Sequence, residues 1–122
     1  MTGRVLLIED EANIAEAIRF ILTRDGWDVT IHADGATALD RLRALRPDAL
    51  VLDVMLPGLS GYEILDALRA DSMLADLPVL ILTARGQERE REMAAARGAT
   101  LFMTKPFANA DILASLRQLV GR

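Results

Sequence analysis

Two hydrophobic patterns alternate along the chain. Five short apolar runs have the length of β-strands, and longer segments between them carry apolar residues three and four positions apart. This alternation predicts strands, each followed by an α-helix, with the strands at residues 4–9, 28–32, 49–53, 79–83 and 100–104.

Several residues mark where the predicted helices begin and end. Ser60, with Glu63 three residues later, forms a capping box at a helix start, and Gly26 and Gly98 follow helical segments where a left-handed residue is favoured. The first helix is predicted at 12–25, the fourth at 86–97 and the last at 108–120, with Asn109 as the capping side chain of the last.

The apolar runs and their spacing indicate the fold class. Strands that are apolar on both faces are typical of a parallel sheet covered by helices on both sides. Five strand–helix repeats in 122 residues are too few for a closed barrel, which needs about 250 residues, so they predict an open, doubly wound α/β sheet. We expect one domain over residues 1–122.

Composition narrows the chemistry. The chain has 14 basic and 18 acidic residues and a net charge of −4, which argues against direct nucleic-acid binding. It has no cysteine and one histidine, which excludes disulfides, thiol nucleophiles and zinc–thiolate sites. No apolar run approaches the roughly 18 residues of a membrane span, and the first residues do not form a signal peptide. We therefore expect a cytoplasmic protein without membrane association.

Polar residues follow four of the predicted strands. Ligands of open parallel sheets bind at the carboxyl ends of the strands, where this chain carries Glu9, Asp10, Asp53, Thr83 and Lys105. Closely packed carboxylates suit a hard divalent cation such as Mg²⁺, and a carboxylate can attack phosphorus to form an aspartyl phosphate. A lysine and a hydroxyl would neutralise the phosphoryl oxygens.

Each of these residues has an ordinary structural interpretation when taken alone. Asp10 is typical of a helix N-cap, Thr83 of a strand residue and Lys105 of a solvated surface residue. The coincidence of all of them at one edge of one sheet favours the phosphoryl-transfer interpretation. Lys105 is also the only lysine among 14 basic residues.

The sequence resembles the receiver domains of bacterial two-component response regulators over about residues 4–120. The resemblance rests on four motifs: Glu9-Asp10, Leu52-Asp53-Val54-Met55-Leu56-Pro57-Gly58, Leu82-Thr83-Ala84-Arg85 and Thr104-Lys105-Pro106-Phe107. It implies a (βα)5 fold with the flavodoxin-like strand order 2-1-3-4-5, as in single-domain chemotaxis regulators, and a signalling switch without separate substrate turnover.

The resemblance also implies a phosphoryl site. Asp53 would be the phosphoacceptor, and Lys105 would contact a phosphoryl oxygen. Glu9 and Asp10 would serve Mg²⁺, for which Mn²⁺ can substitute, with Asp10 touching the metal directly and Glu9 acting largely through water. The backbone carbonyl of Met55 would complete the protein's metal ligands.

The same resemblance implies a switch between two conformations. Thr83 would move onto the phosphoryl group, and Phe102 would swing between exposed and buried rotamers. The bond between Lys105 and Pro106 would be cis. Phosphorylation would shift the population toward the closed conformation, and the face formed by the fourth helix, fifth strand and fifth helix would report it.

The chain departs from the transcription-factor branch of this family. That branch carries paired acids before the fifth strand, and a glutamate and an arginine in the fifth helix, which form a symmetric dimer; this chain has Thr100, Leu101, Asp111 and Ser115 there, so the paired acids and the arginine are missing. We therefore expect a stand-alone monomeric receiver that docks on a histidine kinase or histidine phosphotransfer protein and on an output protein. Dimerisation on activation stays open. The alternative is a receiver whose output domain, DNA-binding or enzymatic, lies beyond residue 122.

Other functional classes fit the sequence less well. A phosphatase or phosphotransferase with an aspartate nucleophile would carry a second acid at the position of Met55. A dinucleotide-binding module would have a glycine-rich first turn, and residues 9–12 contain no glycine.

Overall fold

Five parallel strands form one sheet, and helices cover both of its faces. The computed structural model describes residues 3–121; positions 1, 2 and 122, at the ends of the predicted 1–122 domain, lie outside the described residues. The strands are β1 (Gly3–Ile8), β2 (Trp27–His32), β3 (Ala49–Asp53), β4 (Val79–Thr83) and β5 (Leu101–Thr104). The helices are α1 (Ala12–Arg24), α2 (Ala38–Leu45), α3 (Gly61–Ala70), α4 (Glu88–Ala96) and α5 (Asn109–Leu119), and a short 3-10 turn spans Gly35–Thr37.

The strand order is β2-β1-β3-β4-β5, which confirms the predicted doubly wound fold and its 2-1-3-4-5 order. β2 lies on one side of β1 and β3 lies on the other side. The direction in which strands are added therefore reverses between β1 and β3. Ile8 pairs with Leu52, and Asp53 pairs with Leu82 on the next strand. This register brings the ends of β1, β3 and β4 to the same edge, where the crevice opens.

Two hydrophobic clusters lie on opposite faces of the sheet. Val5 and Leu7 of β1 pack toward α1 and α5, whereas Leu6 and Ile8 pack toward α2 and α3, and all four are fully buried. Because neighbouring strand residues point to opposite faces, a strand buried on both sides must be apolar throughout. This explains why the strand sequences show continuous apolar runs rather than alternation.

The predicted helix boundaries are right within two residues, and one capping prediction is wrong. The Ser60 hydroxyl accepts from the Glu63 amide at 3.2 Å and the Glu63 carboxylate from the Ser60 amide at 3.0 Å, so the capping box is confirmed. Gly26 and Gly98 have φ of 95° and 99°. Asn109 does not cap α5: it is the first residue of the helix, and Ala108 occupies the N-cap position without a side-chain hydrogen bond.

A salt bridge joins the ends of α1 and α5. The Arg117 guanidinium donates to both carboxylate oxygens of Asp25, and the Trp27 indole donates to the same carboxylate at 3.3 Å. The hydrogen bond and charge of Arg117 lower the pKa of Asp25.

Within residues 3–121, no helix is long and apolar enough to cross a bilayer.

Candidate functional site

The polar residues predicted at the strand ends lie together at the carboxyl edge of the sheet. Glu9 follows β1, Asp53 ends β3, Thr83 ends β4 and Lys105 follows β5. Glu9, Asp53 and Thr83 are at most 3% exposed and are the buried polar or charged residues of the described core. Burying charge is unfavourable unless it is paired, so these side chains need partners at the same edge.

Lys105 supplies that partner for both buried carboxylates. Its Nζ lies 2.7 Å from Oε1 of Glu9 and 3.2 Å from Oδ1 of Asp53, and its side chain is 18% exposed. Glu9 and Lys105 are 96 residues apart in sequence. The ammonium thus joins the ends of β1, β3 and β5 and offsets one of the two buried negative charges.

A third carboxylate, that of Asp10, completes an acidic cluster. One carboxylate oxygen from each of Glu9, Asp10 and Asp53 lies within 4.8 Å of the others, and Asp10 is exposed to solvent while the other two are buried. Three carboxylates and one ammonium leave net negative charge at this edge, and an all-oxygen donor set of this kind suits a hard divalent cation. The residues present therefore fit Mg²⁺.

The electrostatics of the cluster appear in the pKa of Asp53. Burial, and then the negative charge of Glu9, raise the pKa of Asp53 to about 6, although Lys105 opposes the shift. Burial by itself lowers the pKa of Lys105, but its hydrogen bond to Glu9 and the charges of Asp53 and Glu9 outweigh this effect and raise the pKa above its usual value. An additional cation would therefore stabilise the ionised form of Asp53, whereas Lys105 stays protonated at neutral pH.

The two adjacent acids have different surroundings. One oxygen of Glu9 accepts from Lys105, and the other accepts from the backbone amide of Glu11 at 3.2 Å. Both Glu9 oxygens are thus already engaged, while Asp10 is exposed beside them. This difference favours Asp10 as the residue that would touch a metal directly, with Glu9 holding Lys105.

Of the two predicted switch residues, Thr83 ends β4 and Phe102 lies within β5. The Thr83 hydroxyl accepts from the Arg85 amide at 3.1 Å, and Phe102 is partly buried in β5. The peptide bond between Lys105 and Pro106 is cis, in agreement with the resemblance. Met55 lies two residues beyond Asp53 and is 67% exposed, and the metal-ligand role of its carbonyl stays a prediction.

Two contacts of α4 were not anticipated from the sequence. The charged run at residues 88–92 is typical of a solvated helix face, yet Glu90 is partly buried and accepts from the Tyr62 hydroxyl at 2.7 Å. The Arg91 guanidinium lies 4.9 Å from the centre of the Phe102 ring, in a cation–π geometry. The alternating charges at residues 88–92 do not indicate which of these side chains face a neighbouring helix or strand.

Sequence comparison identifies the family of the chain. The family described as the response regulator receiver domain matches residues 5–117. Response regulator MprA of Mycobacterium tuberculosis is 42% identical over 122 residues, which are all of this chain and 52% of that protein. The phosphate regulon transcriptional regulatory protein PhoB of Escherichia coli is 38% identical, and 53% of it is covered. The chain thus spans about half the length of these curated relatives.

Solved structures share the fold of this chain. The receiver domain of the Francisella response regulator 1452 superposes with a TM-score of 0.92 at 29% identity, over 98% of both chains. The receiver domain of the sensor histidine kinase PA1611 from Pseudomonas aeruginosa, solved with a magnesium ion coordinated in its active-site cleft, gives a TM-score of 0.90 at 31% identity over 98% of both chains. Because the family model matches residues 5–117 and the fold agrees with those of solved receiver domains, the chain belongs to the receiver domain family of two-component response regulators.

Proposed function

We propose that Asp53 accepts a phosphoryl group from a phosphohistidine of a histidine kinase or phosphotransfer protein. The observation that carries this proposal is the contact of Lys105 with Asp53 and Glu9, inside a cluster of three carboxylates that lie within 4.8 Å. A bond forms between an Asp53 carboxylate oxygen and phosphorus while the phosphorus–nitrogen bond of the donor breaks, and the imidazole leaves.

Asp10, Asp53 and the carbonyl of Met55 would hold Mg²⁺, or Mn²⁺ in its place. When bound, the metal would neutralise charge on the phosphoryl oxygens. Lys105 would donate to one of those oxygens, and Glu9 would keep the ammonium oriented through their 2.7 Å contact. The hydroxyl of Thr83 would leave the Arg85 amide and donate to a second oxygen.

The proposed phosphoryl donor would dock on a groove near Lys105, the lysine that contacts Asp53. A groove of about 580 Å³ lies between α1 and the loop after β5, next to Lys105, with largely apolar walls that include Ile14, Ile21, Pro106 and Phe107. An apolar groove that reaches Lys105, the residue in contact with Asp53, suits a helical partner that carries the phosphohistidine. In the cytoplasm, the phosphorylated form would then signal by docking on an output protein, or through an output domain beyond residue 122.

Phosphorylation by a small-molecule donor tests this proposal. With Mg²⁺ and acetyl phosphate, we expect the wild type to gain one phosphoryl group by mass spectrometry and Asp53→Asn to gain none. Asp40→Asn is the matched control, because the side chain of Asp40 is 84% exposed on α2 and should leave phosphorylation unchanged. Equal labelling of the wild type and Asp53→Asn would contradict the assignment.

A further inference from the structure

Few apolar contacts hold α4 in place. Ala94 is its only buried residue, whereas α1 and α5 each bury three residues and α3 buries four. A helix with so little apolar burial is easily displaced, and polar contacts then decide its position. The contacts that α4 makes with its neighbours therefore matter more than they would for the other helices.

A set of polar contacts joins α4 to α3. The Tyr62 hydroxyl donates to Glu90 at 2.7 Å, and Arg97 donates to Asp66 at 2.5 Å. The Arg97 guanidinium also lies 5.3 Å from the centre of the Tyr62 ring. We call these four residues, Tyr62, Asp66, Glu90 and Arg97, the α3–α4 clamp.

The members of the clamp contribute unequally. The side chains of Arg97 and Asp66 are 37% and 53% exposed, and ion pairs of this kind are weak because water screens them. Tyr62 and Glu90 are both partly buried, and burial together with Glu90 raises the pKa of Tyr62 to about 12. The hydroxyl therefore stays protonated at neutral pH and donates to a charged acceptor, which makes it the stronger contact.

The end of α4 is fixed separately. Arg69 donates to the carbonyl of Gly98 at 2.8 and 2.9 Å and to the carbonyls of Ala75 and Leu77 at 2.9 and 2.7 Å. The turn after α4 is thus tied to the loop after α3. Movement of α4 is then easiest as a pivot about this turn, and such a pivot displaces Glu90, near the start of the helix, from Tyr62.

We propose that the Tyr62–Glu90 contact of the α3–α4 clamp is a restraint on the switch, made in the unphosphorylated conformation and broken when α4 pivots on phosphorylation. The inference rests on the proposed phosphorylation of Asp53. A contact made in only one of two conformations biases their equilibrium by its own free energy, and by linkage it weakens the binding of any ligand that favours the other conformation. The clamp thus sets how readily the receiver responds.

The Tyr62→Phe variant tests the clamp because it removes only the hydroxyl. With Mg²⁺ present, we expect it to bind beryllofluoride, an analogue of the phosphoryl group, about fivefold more tightly than the wild type by calorimetry. Without beryllofluoride, backbone amides of residues 88–91 should exchange hydrogen faster. Asp66→Asn removes the exposed contact with Arg97 beside the pivot and should change the affinity less than Tyr62→Phe does.

The controls separate this inference from the proposed function. Arg43→Gln breaks the contact of Arg43 with Asp71, at 2.8 Å, which joins α2 to the C-cap of α3 and involves no residue of α4, and it should leave beryllofluoride affinity unchanged. If the wild type does not bind beryllofluoride, the proposed function fails. If the wild type binds and Tyr62→Phe binds equally or more weakly, the clamp is present in both conformations or supports the active one, and the inference is overturned.

Discussion

At the scale of single residues, the chemistry of the site depends on one lysine between two buried carboxylates. Arginine has a planar, forked guanidinium, whereas lysine offers a compact point charge with three donors. The Lys105 ammonium lies within 3.2 Å of both Glu9 and Asp53, a geometry that a compact charge fits. This explains why lysine is found here in a chain that uses arginine at its other basic positions.

Replacement of this lysine should separate folding from switching. Lys105→Arg keeps a cation beside Glu9 and Asp53, so we expect its urea midpoint to stay close to that of the wild type, while the response of α4 amides to beryllofluoride is lost by NMR. Lys105→Ala leaves two buried carboxylates without their cation and should cost about 3 to 5 kcal/mol of stability. A wild-type α4 response in Lys105→Arg would show that the ammonium geometry is not required.

The raised pKa of Asp53 predicts how stability depends on pH when no metal is present. The pKa is about 6 in the folded chain against about 3.9 when unfolded, so between these values the folded state binds more protons and its stability falls as pH rises. We expect a loss of about 2 to 3 kcal/mol that is complete above pH 6.

Urea unfolding in chelator at pH 4 to 7.5 measures this loss. Asp53→Asn cannot ionise, so it should lack the decline and be more stable than the wild type at pH 7.5. Asp40→Asn, at an exposed carboxylate, should keep the wild-type profile. Parallel profiles for the wild type and Asp53→Asn would show that the buried charge is not the cause.

At the scale of elements, the N-termini of α3 and α5 differ in whether a side chain caps the helix. Ser60 and Glu63 close a reciprocal capping box on α3, whereas Ala108 offers α5 no side-chain acceptor. A helix leaves its first amides without intrahelical partners, and a capping hydroxyl satisfies one of them.

Opposite substitutions at these two positions should have opposite effects. Ser60→Ala removes a cap and should lower the free energy of unfolding by about 1 kcal/mol, whereas Ala108→Ser adds one and should raise it by about 0.5 to 1 kcal/mol. Chemical denaturation of both variants beside the wild type measures the two changes. A destabilised Ala108→Ser would mean that the serine hydroxyl does not reach the free amides of α5.

The two kinds of elements differ in how far sequence predicts them. The bounds of β3 and β4 follow directly from continuous apolar runs that each end on one polar residue, Asp53 or Thr83, because a strand buried on both faces is apolar along most of its length. The position of α4 does not follow from the sequence pattern, because its residues are mostly charged or small. It depends on single contacts with Tyr62 and Phe102.

At the scale of the whole molecule, the proposed metal site couples the ends of β1 and β3 to global stability. A cation that binds only the folded chain stabilises it by mass action, by about 2.7 kcal/mol at a concentration 100 times the dissociation constant. Its three carboxylates come from residues 9, 10 and 53, so the cluster exists only when the strands are paired.

Thermal unfolding should therefore respond to Mg²⁺. We expect the midpoint of the wild type to rise with added Mg²⁺ and to return on chelation, with a smaller rise below pH 6, where protons compete for Asp53. Asp10→Asn should lose most of the rise, while Asp40→Asn should retain it. An unchanged wild-type midpoint at millimolar Mg²⁺ would contradict the metal assignment.

The sequence by itself determined the fold class, the strand limits to within one residue and the candidate site residues. Hydrophobic periodicity reports burial directly, and Glu9, Asp10, Asp53, Thr83 and Lys105 each stand at a strand end that a parallel sheet must bring to one edge. Only the tertiary structure decided their pairing: Lys105 on both Glu9 and Asp53, and Tyr62 on Glu90. These contacts join residues 28 to 96 positions apart, and local pattern cannot specify them because they depend on how the elements pack.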